Sequence, residues 1–150
     1  MIILEDTRNK LEKNAHIRLQ IERLGYKVER TKLYCGDYTL PTNQKICIDT
    51  KQDLQEVCGN VTQQHERFQA ECVRAQEAGI KLVILIQEPN IKSLSEVPTW
   101  YNWRLKKNPR ALNGLKLYKI MLTISQKYGA DWQFCKKEDC GKRIVELLGG

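Results

Sequence analysis

The chain has 150 residues, of which 41% are hydrophobic and 29% charged. That composition supports a packed core, excludes a disordered or collagen-like chain, and suits one domain over residues 1–150. Lys and Arg number 25 against 18 Asp and Glu, a net charge of +7 that favours a polyanionic partner, nucleic acid first.

Residues 1–4 form a short apolar run that reads as a buried strand, with Asp6 and Arg8 just past its end. Residues 9–24 place Leu11, Ala15, Leu19, Ile17, Ile21 and Leu24 within one broad face of a 3.6-residue period. This predicts a helix stopped by Gly25. Residues 26–33 alternate as a strand. Gly36-Asp37 marks a turn or strand start, Tyr38 and Leu40 alternate after it, and Pro41-Thr42-Asn43 is a hairpin break. Residues 46–50 form the next strand, with Ile46 and Ile48 on one face and Cys47, Asp49 and Lys51 on the other. Asp53 caps a short helix through Cys58, with Glu56 three residues on, and Gly59-Asn60 breaks it.

Thr62 is the expected cap of a helix to Ala78, with Val61, His65, Phe68, Cys72 and Ala75 as its stripe. His65 is then a packed residue, and Glu66 and Glu71 are solvated or boundary positions, Glu71 with access to the sheet edge. Residues 82–86 are continuously apolar, as in a central strand covered on both faces. Residues 88–110 carry three prolines and little periodicity, which makes a long basic and aromatic loop with a functional role or mobility. A helix over 113–128, a strand over 131–134 and a helix over 141–148 close the chain. The fold class is α/β, a mixed central sheet flanked by helices.

No apolar run approaches the ~20 residues that cross a bilayer. The amino terminus has no basic n-region and no cleavage pattern, so a cytoplasmic location and no membrane partner are expected. The six cysteines are then reduced. Cys135 and Cys140 make a C-x4-C pair, and a zinc site needs Cys35, Cys47 or His65 to join them in space.

The sharpest chemical feature is Asp49 with Lys51. Two apart in a strand, they stand on one face, and Asp37 can converge on them from the adjacent arm of the hairpin. Converging carboxylates suit Mg²⁺ or Mn²⁺, which lowers the pKa of a bound water and polarises a phosphodiester. The lysine orients the water or balances phosphoryl charge. A surface hairpin with a salt bridge is the plainer alternative. Glu12 and His16 lie one turn apart and can face the same cleft.

Glu5-Asp6-Thr7-Arg8, Gly36-Asp37-Tyr38-Thr39-Leu40 and Ile48-Asp49-Thr50-Lys51 followed by Asp53-Leu54 together resemble the ERCC4-type nuclease domain. This is the domain of the XPF/Mus81 structure-selective endonucleases, and the whole chain resembles a small stand-alone form of it found in bacteria and phages. The resemblance implies a restriction-endonuclease-like PD-(D/E)xK core. It implies a metal held by Asp6, Asp37 and Asp49, with Lys51 as catalytic lysine, Arg8 as the arginine of the first motif and Glu12 as the helix glutamate of the wider superfamily. Asp49 stands where the family signature has Glu, Thr50 where it has Arg and Gln55 where it has a final Asp; Asp53 or Glu56 can supply that acid.

The implied activity is metal-dependent hydrolysis of DNA, structure-selective for branched, flap or four-way substrates, with no nucleotide cofactor. Trp100, Tyr101 and Trp103 interleave with Arg104, Lys106, Lys107 and Arg110, so the basic side chains are expected on phosphates, with at least one tryptophan anchoring the loop. Either a homodimer, through residues 113–128 and the C-terminal segment, or reliance on a partner is expected, and a symmetric dimer would present two clefts to one substrate. The alternatives are a catalytically inactive DNA-binding module and an adaptor with a nuclease-like fold.

Overall fold

A computed structural model describes residues 1–149. Six strands form one mixed sheet in the order β2-β1-β3-β4-β5-β6. They are β1 (Ile2–Asp6), β2 (Lys27–Thr31), β3 (Tyr38–Leu40), β4 (Asn43–Lys51), β5 (Lys81–Ile86) and β6 (Asp131–Phe134). β2 pairs parallel with β1, β3 runs antiparallel to both β1 and β4, and β4, β5 and β6 are parallel. The carboxyl ends of β1 and β4 therefore meet the amino end of β3 at one edge of the sheet.

The helices are α1 (Ala15–Arg23), α2 (Leu54–Val61), α3 (His65–Glu77), α4 (Gly114–Tyr128) and α5 (Cys140–Leu147). Alternation along the strands splits the core in two. Cys47, Leu82, Ile84 and Ile86 pack with Leu54, Phe68, Cys72, Leu117 and Met121 of α2, α3 and α4. Ile3, Tyr38, Ile48, Val83 and Leu85 pack with Ile17, Ile21 and Ile144 of α1 and α5. β5 is continuously apolar because it feeds both layers. Each fully buried Ile or Leu contributes about 1.5–3 kcal/mol of transfer free energy. No helix among the described residues is long and apolar enough to cross a membrane.

Several boundaries differ from the sequence reading. The first helix starts at Ala15, not near residue 9, because residues 9–14 are held by tertiary bonds. Arg30 Nη2 donates to the Asn9 carbonyl, Arg18 Nη2 to the Leu11 carbonyl, and buried Asn14 donates to Thr50 Oγ1. α2 runs through Gly59 and Asn60 to Val61. Thr62 does not cap α3: its hydroxyl donates to the Cys58 carbonyl, and Gln64 precedes the helix. His65 is exposed and bonds the Thr62 carbonyl, not the core.

The segment expected to be a long loop is packed. It forms two 3-10 turns, Leu94–Thr99 and Trp103–Lys106, with Ile91 and Val97 buried. Gly114 opens α4 beneath it, where an added Cβ would stand 2.6 Å from the carbonyl oxygens of Val97 and Trp100. Trp100 packs against the α4-side core, whereas Trp103 is 54% exposed. Cys135 adjoins Cys140 in the α1–α5 layer while Cys35 adjoins Cys47 in the other, so the sheet separates the pairs and the meeting that a zinc site would need does not occur.

Candidate active site

Two backbone hydrogen bonds bring the acidic positions together. The Asp6 amide donates to the Asp37 carbonyl at 2.8 Å, and the Asp37 amide donates to the Ile48 carbonyl at 2.7 Å. Asp6 ends β1, Asp37 precedes β3, and Asp49 and Lys51 end β4, so four candidate side chains gather at one sheet edge. Gly36 makes the approach feasible. Its φ is +73°, and a Cβ there would lie 3.0 Å from Cys47 Cβ and 3.2 Å from the Ile48 carbonyl oxygen. The glycine before the aspartate is thus a steric requirement of the hairpin.

The edge opens into a cleft of about 360 Å³ lined by Asp6, Asp37, Asp49, Lys51, Glu71 and Arg67, among others. Asp37 is buried, and its Oδ2 accepts from both the amide (2.9 Å) and the hydroxyl (2.8 Å) of Thr50. Asn9 donates to the other oxygen. Burial and the neighbouring Asp49 charge still push the Asp37 carboxyl up to about 7. Burial also raises Asp49; Lys51 opposes that shift, and Glu71 adds to it. Burial alone would depress the Lys51 ammonium, but Asp49, Glu56 and Asp37 outweigh it and hold it above its ordinary value.

Asp49 Oδ2 lies 3.1 Å from Lys51 Nζ, an ion pair, yet no donor is aligned with that buried oxygen. Two buried carboxylates, Asp49 opposing the ionisation of Asp37 and keeping an unsatisfied oxygen of its own, form a hard-oxygen donor set. Mg²⁺ or Mn²⁺ fits that set. Among the described residues no group of three or more His, Cys, Asp and Glu side chains is placed to enclose an ion. The pair therefore suits a cation that binds through one or two carboxylates and keeps several waters.

Asp6 borders the cleft with both oxygens engaged, Oδ2 by Arg8 Nε at 2.7 Å and Oδ1 by the Leu33 amide at 3.0 Å. Arg8 also donates to the Leu33 carbonyl, so this pair braces the cleft wall. Glu12 is not in this cleft. It is exposed in the turn before α1 and lines a neighbouring depression with His16, because residues 10–14 are not helical. The carboxylate that does enter from a helix is Glu71 of α3, one position from buried Cys72 and anchored by accepting from the Gly36 amide at 3.0 Å. Its place at the margin of the Phe68–Cys72–Ala75 stripe was the available signal. Lys13, Asn9, Arg67 and Arg74 also line the cleft, and no motif pointed to them.

Arg104, Lys106, Lys107 and Arg110 are all exposed, on a segment docked to α2 through Gln55 and buried Asn102. Arg104 lies over the Trp103 ring, 5.3 Å from its centroid. The neighbouring faces of α2 carry Glu56 and Asn60 into the acidic cleft, so the basic segment borders it across one helix.

Comparison with known proteins follows the same lines. No curated protein sequence matches the chain. XPF from Aeropyrum pernix superposes with a TM-score of 0.67 at 17% identity, over 99% of this chain and 60% of that one. The same protein in a complex with DNA gives 0.67 at 18% identity, over 98% and 62%. The chain thus spans about three-fifths of the length of these structures, and the likeness shows the fold, a mixed sheet flanked by helices. The ERCC4 domain model matches residues 6–147, nearly the whole chain. With its sheet edge, its Gly36-Asp37 turn and its Asp49/Lys51 strand, the chain belongs to the ERCC4 domain family.

Proposed function

We propose that the chain is a divalent-metal-dependent endonuclease that hydrolyses DNA phosphodiesters, with selectivity for branched, flap or four-way DNA. The observation that carries this reading is the burial of Asp37 and Asp49 side by side, with Lys51 paired to Asp49, in a member of the ERCC4 family. The net charge of +7 supports DNA as the substrate, as does the related XPF solved with DNA.

Asp37 and Asp49 would hold Mg²⁺ or Mn²⁺, with Glu71 and Asp6 beside them. When bound, such a cation supplies Lewis-acid polarisation of the phosphoryl oxygen and a water of lowered pKa. The protein's own residues set the geometry. Thr50 and Asn9 fix the Asp37 carboxylate. Lys51, charged and buried over the Phe68 ring, presents its ammonium to the phosphoryl group and offsets charge that grows in the transition state. Glu71 holds the Gly36 turn from the facing helix. Arg8, Arg104, Lys106, Lys107 and Arg110 supply phosphate contacts along the strand, and a homodimer presents two such clefts to a junction.

The test is cleavage of linear, flap, forked and four-way DNAs with Mg²⁺, Mn²⁺ or chelator, beside Asp49→Ala. The reading expects branched substrates to be cut with either metal, no cutting in chelator, and loss of cutting but retained binding in Asp49→Ala. Binding without cleavage of any substrate in either metal would instead establish a DNA-binding module.

A further inference from the structure

Beside the acidic cleft lies a second one of about 510 Å³, lined by Lys10, Lys13, His16, Gln87 and Lys137, with Glu12 as the carboxylate among its walls. Lys13 lines both clefts, so they are neighbours. Their lining differs in balance. The first sets Asp6, Asp37, Asp49, Glu56 and Glu71 against Arg8, Lys13, Lys51, Arg67 and Arg74; the second sets three ammonium groups against one carboxylate.

The cations of the second cleft are available. Lys10 and Lys137 are exposed, and neither takes part in an ion pair among the described residues. Lys13 reaches Glu56 only at 3.8 Å. The floor is fixed. Gln87 is 7% exposed; its Oε1 lies 2.7 Å from His16 Nε2, and its amide nitrogen donates to the Lys51 carbonyl at 3.3 Å. The basic cleft is therefore tied through Gln87 to the strand end that carries Lys51. It arises because three distant segments meet there: the wall after β1, the end of β5 and the turn after β6.

We propose that this second cleft binds a backbone phosphate of the DNA next to the one cleaved, through Lys10, Lys13 and Lys137. The proposal rests on the nuclease reading and adds a subsite to it. Amines without a matching anion select a phosphate over a cation, and no tryptophan, tyrosine or phenylalanine lines the cleft to stack a base. With the segment of Arg104 to Arg110 beyond α2, the acidic cleft then has a cationic region on each of two borders. The strand is held on both sides of the scissile position.

The test uses Lys10→Ala combined with Lys137→Ala, leaving Lys13 intact because it also lines the acidic cleft. Binding of a labelled duplex and a labelled four-way junction is measured by anisotropy in chelator over a salt series. The expected result is a salt slope shallower by about 0.9, the value for one neutralised phosphate, and roughly tenfold weaker binding at physiological salt. Phosphate-ethylation interference is expected to lose one sensitive position in the variant, while Mn²⁺ binding stays at the wild-type value. An unchanged slope and an unchanged interference pattern overturn the subsite, and the nuclease reading stands if the wild type still cuts. If the wild type neither binds nor cuts DNA, both fall together.

Discussion

Thr50 gives two hydrogen bonds to a single oxygen of Asp37, one from its amide at 2.9 Å and one from its hydroxyl at 2.8 Å. β3 begins only at Tyr38, so the carboxylate takes the place of the next rung of the β3–β4 ladder. A residue between the acid and the lysine of the signature thereby sets the orientation of the other acid. Thr50→Val keeps the shape and the amide but removes the hydroxyl. It is expected to cost about 1–2 kcal/mol of stability, since a hydrogen bond to a buried carboxylate is lost. Cleavage should fall roughly tenfold for the same energy converted to rate. Thr50→Ser should restore both. Denaturant unfolding and cleavage rates for the pair check this; full activity in Thr50→Val would show that the hydroxyl does not position Asp37.

The Asp37 carboxyl is raised from 3.8 to about 7, and Asp49 is raised with it. Between those values the folded protein holds a proton that the unfolded chain has released. Metal-free stability must therefore fall as pH rises from about 4 to about 7, by about 3 kcal/mol. A bound divalent cation reverses the sign of the local field, so the fall should flatten in Mg²⁺. Asp37→Asn should flatten it without metal. Chemical denaturation from pH 4 to 8, with and without Mg²⁺, measures the slope, and a metal-free stability that rises across this window would contradict the assignment.

Glu71→Gln separates charge from shape. The amide oxygen can still accept from the Gly36 amide, so folding should be unchanged within about 0.5 kcal/mol. Removing the charge beside Asp49 should weaken Mn²⁺ binding roughly tenfold, in the range found for groups that surround metal ligands. Calorimetric titration of Mn²⁺ reads this directly. Unaltered affinity would make Glu71 a brace of the turn and nothing more.

Lys51→Ala leaves Asp49 buried without its counter-ion. Breaking such a pair on one side costs about 3–5 kcal/mol, so metal-free Lys51→Ala should be markedly unstable above pH 7. Mg²⁺ should recover much of that loss while cleavage remains depressed. Melting curves with and without Mg²⁺, alongside turnover, distinguish a charge-balancing lysine from one that reaches the phosphoryl group.

Gly114→Ala tests the packed segment over α4. A methyl group there would enter within 3 Å of the carbonyl oxygens of Val97, Trp100 and Pro98, all backbone atoms. The expected loss is about 2–3 kcal/mol, typical of overpacking. Proteolysis between residues 93 and 110 should increase in parallel, whereas a silent substitution would mean that the segment is not seated on α4.

Strand-level features of this site were legible because a period of two leaves little freedom: Asp49 and Lys51 share the face of Cys47, as the alternation of residues 46–51 requires. The Asp53 cap was legible for a local reason, its side chain accepting from the Glu56 amide at 2.9 Å. Residues 9–14 were not legible. Their helical period is real, but Arg18, Arg30 and Thr50 supply tertiary bonds that hold the backbone in turns, and Glu12 leaves the acidic cleft as a result. Glu71 was legible only as a boundary position with access to the sheet edge, because its place beside Asp49 depends on how α3 lies over that edge. The packing of residues 88–110 depends on one close backbone approach at Gly114, which carries no sequence period at all.

Calorimetric titration of Mn²⁺ into chelator-stripped protein, run on the wild type, Asp37→Asn and Asp49→Asn, bears most directly on a cation shared by two carboxylates. The account predicts saturable binding in the wild type and its loss in each variant, with the fold intact by circular dichroism. Equal affinity in all three proteins would mean that these aspartates do not hold the metal.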